Sequence, residues 1–183
     1  MPKAALLALL TGGDRRSIGR ANQVAAAVLQ SPEIFPQLIK GLWSADSLVR
    51  MRAADAVEKI TRAKPELLRP YKKELLGLMH EAEAKEERWH LALIAQRLPL
   101  SAKERVIAAA ALKSYLEDRS SIVRTFALQA LSDCAGQDPA LLPEVIELLQ
   151  QALRSGTAAM KARSRKLLLR LERRPAKTQS PTK

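Results

Sequence analysis

Small and apolar residues recur at helical spacing along most of the chain, and one such stretch is copied. Val49-Arg50 is followed by Ala53, Ala56, Val57 and Ile60, three, six, seven and ten residues after the arginine. Val123-Arg124 is followed at the same offsets by Ala127, Ala130, Leu131 and Cys134. Arg88 leads Leu91, Ile94, Ala95 and Leu98, and Lys161 leads Ser164, Leu167, Leu168 and Leu171. Offsets of three, six, seven and ten fall on one face of an α-helix, so each anchor marks a helix with a buried stripe. The four anchors lie 38, 36 and 37 residues apart, and a weaker copy surrounds Arg20 with Val24, Ala27 and Val28. A fixed period of this length is the signature of a repeat array, whose terminal units are commonly irregular.

A second amphipathic segment precedes each anchor helix: 2–10, 32–42, 65–82, 102–117 and 139–153. Ser31-Pro32 and Asp138-Pro139 put a capping residue before a proline, the arrangement that starts helices. Gly12-Gly13, Asp46, Asp118 and Ser155-Gly156 occupy the turns. The pattern predicts an all-α superhelix of about five antiparallel helix pairs over residues 1–174, with no strands, and a basic, disordered tail at 175–183.

A proline-led first helix, an aspartate in the turn, then Val-Arg and alanines in the second helix resembles the HEAT-repeat family. Asp46 with Val49-Arg50 and Asp118 with Val123-Arg124 carry the resemblance best. It implies a right-handed stack whose second helices line a concave surface, which such proteins use to hold protein or nucleic acid. It implies no particular chemistry.

Composition fits this reading. Aromatic residues are 3% of a chain that is 47% hydrophobic, so Leu, Ala, Val and Ile must build the core. No apolar run reaches the length of a membrane span. The opening Met1-Pro2-Lys3 and the apolar run after it imitate a secretion signal, but Gly12-Gly13-Asp14-Arg15-Arg16 follows without a small-residue cleavage site, and a cytoplasmic location is expected. One cysteine, Cys134, cannot pair internally, and two histidines without a cysteine cluster offer no local zinc-ligand spacing. No cofactor is expected.

Stacking the repeats aligns Arg50, Arg88, Arg124 and Lys161 in a column, either as an anion-binding row or as a structural ladder bonded to turn acids and carbonyls. Asp46 and Asp118 favour the ladder for Arg50 and Arg124, whereas Arg88 has no turn aspartate and is followed by Trp89 and His90, a candidate contact surface. Trp43 reads as a packing residue. The net charge of +12 is unevenly spread, because residues 154–183 carry 10 basic residues against 1 acidic. Arg163, Lys166 and Arg170 form the basic face of the last helix, a candidate anion surface.

No phosphate-cradling glycine loop, nucleophile elbow or metal-binding His-Glu-x-x-His is present. Alkylpurine DNA glycosylases and phycobilin lyase subunits are enzyme-associated HEAT-like proteins, but no motif of either can be carried over, and neither role is expected. The sequence therefore predicts a non-enzymatic scaffold that binds a protein on its concave face. The alternative is a nucleic-acid module using the basic C-terminal helix.

Overall fold

Alanine at the repeated offsets lets neighbouring second helices approach closely, and this decides the architecture. Ala53 and Ala56, Ala92 and Ala95, and Ala127 and Ala130 are all buried between helices. The computed structural model describes residues 5–14 and 16–173. The expected helix start at Pro2 and the tail at 175–183 lie outside those residues.

Ten α-helices form five antiparallel pairs among the described residues. The first helices are α1 (Ala5–Ala8), α3 (Phe35–Ile39), α5 (Lys72–Glu81), α7 (Ala102–Ser114) and α9 (Leu142–Ser155). The second helices are α2 (Ala21–Gln30), α4 (Ser47–Ala63), α6 (Lys85–Ala95), α8 (Ser121–Gln137) and α10 (Ala158–Glu172). Short 3₁₀ turns lead in at Pro32–Ile34, Pro65–Tyr71 and Pro139–Leu141, where proline fixes φ before a regular helix begins. No strand occurs among the described residues, and no helix there is long and apolar enough to cross a membrane.

Helix starts are capped in different ways. Asp46 accepts from Leu48 N at 2.8 Å and Asp138 from Ala140 N at 3.1 Å. Ser101 and Glu104 make a reciprocal capping box. Ser31, expected as a cap, makes no side-chain cap bond; its residue only enters the 3₁₀ turn, where Ile34 N donates to its carbonyl.

Successive second helices touch along their lengths, and the first helices meet one another more sparsely. This difference puts the second helices on the inside of the curve. One apolar core runs without interruption from Leu6 to Leu171. Each fully buried leucine in it contributes about 2 kcal/mol.

Candidate functional site

Two members of the basic column, Arg50 and Arg88, are bonded between repeats. Arg50 Nε donates to Glu87 Oε1 at 2.8 Å, and its Nη1 donates to the carbonyls of Ser44 and Ala45 at 2.9 and 3.2 Å. Arg88 repeats the arrangement, donating from Nε to Ala82 O at 2.8 Å and from Nη1 to Asp118 Oδ2 at 2.8 Å, with its guanidinium 5.2 Å above the Tyr115 ring. The acids thus come from the following repeat. The Asp46 carboxylate does not bond the Arg50 guanidinium but caps α4, and Asp118 bonds Arg88 rather than the Arg124 of its own repeat. Arg124 and Lys161 make no side-chain hydrogen bond among the described residues, and the Arg124 Nε is buried without a partner.

A second set of bridges, nine residues after each anchor, covers the inner face. Lys59 donates to Asn22 Oδ1 and Asp55 Oδ2 at 2.7 and 2.6 Å. Arg97 reaches Glu58 Oε1 at 2.8 Å and its carbonyl at 3.0 Å. Arg170 donates to Asp133 Oδ1 at 2.6 Å and Ser132 Oγ at 3.0 Å. Arg163 donates to Gln129 Oε1 at 2.8 Å and lies 5.9 Å over Phe126. Two members of the expected basic face of α10 therefore tie it to α8. Lys166 does not join them; it is exposed beside Arg165.

Between the loop at 11–20, α4, α6 and the start of α8 lies a groove of about 330 Å³. Its apolar wall is Ile18, Met51, Trp89 and Ile122, and Asp55 and His90 lie among them. Ile18 and Ile122 are 42% and 45% exposed, so apolar surface faces solvent at both rims. Trp89 meets His90 edge-on with ring centroids 5.2 Å apart. Trp89 Nε1 and His90 Nδ1 are buried without hydrogen-bond partners, an arrangement that costs about 1–3 kcal/mol for each group. Trp43, expected to pack, is 44% exposed, on the turn after α3.

His90 Nε2 is 4.0 Å from Asp55 Oδ1, which favours a proton on that nitrogen and leaves Nδ1 as an acceptor. Burial pushes the imidazole pKa down to about 4, against the pull of Asp55 and Glu58. The ring is neutral at pH 7. Because the folded value is lowered, the unfolded chain takes up a proton first as pH falls. Stability is expected to be intact above pH 6.5 and to decline between 6.5 and 4, by up to about 3 kcal/mol. Urea unfolding across that range checks this, with His90→Gln expected to flatten the slope.

Arg52, two residues past its anchor, shapes the groove and was not singled out by the repeat pattern. It is 1% exposed and donates to five carbonyls: Leu10, Thr11, Gly12 and Asp14 at 2.8, 3.3, 2.6 and 3.0 Å, and Ser17 at 3.1 Å. These bonds fold the loop over α4 and set Ile18 at the rim. Gly19, at φ 54°, presses on the Arg52 guanidinium, where a Cβ would come within 2.9 Å of it.

No group of three or more metal-ligating side chains occurs among the described residues. Burial pushes the Cys134 thiol up to about 11, which suits a packing residue rather than a nucleophile.

The groove and the inter-repeat bridges sit on stacked, antiparallel helix pairs. A solved structure shares that arrangement: a chain of the complex of CpcE and CpcF of phycocyanin lyase from Nostoc sp. PCC7120 superposes with a TM-score of 0.67. The fold is a HEAT-like all-α solenoid. Identity over the superposition is 18%, covering 91% of this chain and 97% of the other. No known family and no curated protein matches the sequence.

That likeness corrects one expectation. A lyase-subunit role was set aside because no motif carried it, yet the solved structure similar to this chain comes from a lyase complex. At 18% identity the helical stack persists, and a shared fold does not require shared motifs. The absence of a catalytic constellation therefore does not separate a scaffold from a lyase subunit.

Proposed function

We propose that this protein is the binding subunit of a protein complex, holding its partner in the groove beside Trp89 and His90. The observation that carries the reading is the groove itself, with exposed Ile18 and Ile122 at its rims and Met51 and Trp89 in its wall. Most of the remaining inner face is occupied by its own bridges. A partner side chain with an apolar body would bury the two isoleucines against Met51 and Trp89.

Charge favours protein over nucleic acid at this place. Arg16, Arg52 and Lys85 line the groove together with Asp55 and Glu86, and Arg52 is already bonded to loop carbonyls, so no single sign dominates. The similar solved structure is itself a complex of two chains, which makes a second helical-repeat chain the partner class to test first. Ile18→Glu combined with Ile122→Glu is expected to abolish partner binding, with thermal unfolding unchanged, because both side chains are exposed. Undiminished binding by the double variant would reject the groove as the contact site.

A further inference from the structure

The ladder stops one step short. Arg50 receives its acid from Glu87, one residue before the next anchor, and Arg88 from Asp118, six before the next anchor. For Arg124 the two equivalent positions in the fifth repeat are Met160 and Ser155, neither of which is acidic. Both line a cavity of about 250 Å³ that also holds Arg124, Glu117, Leu128 and Gln151. The space where a ladder carboxylate would sit is thus a pocket, and the arginine beside it has a buried Nε with no partner.

We infer that this pocket is a binding site for a carboxylate supplied from outside the chain, seated on Arg124 as Glu87 and Asp118 are seated on Arg50 and Arg88. An arginine fork matches a carboxylate geometrically, and its charge strengthens each hydrogen bond. The Glu117 side chain on the same wall opposes an anion of higher charge, so a monoanion is preferred over phosphate. The inference does not rest on the groove at Trp89, with which this cavity shares no lining residue.

The test is nuclear magnetic resonance of the arginine Nε–H groups in the full chain, titrated with sodium acetate against sodium chloride at constant ionic strength. A saturable shift is expected at Arg124 and none at Arg50 or Arg88, whose Nε–H groups are already bonded. Ser155→Asp places the missing acid within the chain; it is expected to shift the Arg124 signal without acetate, to raise the melting temperature and to abolish the acetate response. A short acidic peptide binding far more tightly than acetate would assign the carboxylate to a protein segment, and equal binding per carboxylate would assign it to a small acid. An Arg124 signal that responds to acetate and chloride alike would overturn the site. So would tighter binding of phosphate than of acetate.

Discussion

Replacing Arg52 with methionine is expected to lower the unfolding free energy by about 4 kcal/mol, although methionine fills similar space and is better suited to burial. Five backbone carbonyls accept from this one side chain. All five belong to the irregular stretch between α1 and α2, which has few other bonds to the body of the protein. Removing the guanidinium leaves those carbonyls to be resolvated, so the loop must detach from α4. Chemical denaturation gives the size of the loss. Hydrogen exchange gives its place, with protection falling first in α1 and α2 if the loop is what Arg52 holds. Ile18 would move with the loop, so the variant is also expected to bind its partner poorly.

The second large effect is at Glu58. Its carboxylate is 2% exposed and is held by Arg62 at 2.9 and 2.6 Å and by Arg97 at 2.8 Å, joining α4 to the end of α6. Burial by itself would push this carboxyl up, but the two arginines hold it below the ordinary range. Glu58→Gln is expected to cost about 3 kcal/mol, because an amide offers one acceptor oxygen to two guanidinium groups and places its own N–H donors in a buried site beside them. Arg62→Ala should cost under about 1 kcal/mol, since that side chain is 62% exposed. The lowered carboxyl gives a stabilisation that is present above pH 4.5 and is lost as pH falls further. The His90 contribution is lost over a higher window, and the Gln variants separate the two.

What was legible in the sequence was the period. A solenoid repeats its contacts with its neighbours, so equivalent residues recur at fixed spacing and Arg50, Arg88, Arg124 and Lys161 could be aligned before any helix was located. Their partners could not. Arg88 finds its acid in Asp118, 30 residues on in the next turn, and a search within its own repeat passes over that carboxylate. Trp89 and His90 stood out as a break in the pattern, but Ile18 did not, because its position at the groove depends on Arg52 pinning an irregular loop. Carbonyl acceptors belong to every residue and leave no mark in a sequence. Arg163, Lys166 and Arg170 share one face of α10 by spacing, yet Arg163 and Arg170 point to α8, and helical spacing alone does not tell a bridge from an exposed cation.

The most direct measurement compares partner binding by Ile18→Glu with Ile122→Glu against binding by Arg165→Glu with Lys166→Glu, each confirmed as folded by thermal unfolding. The first pair alters the groove rim and the second the exposed outer face of α10. A protein partner held in the groove predicts that the first pair abolishes binding and the second leaves it unchanged. The reverse result, with binding lost only when the outer face of α10 changes sign, would contradict it.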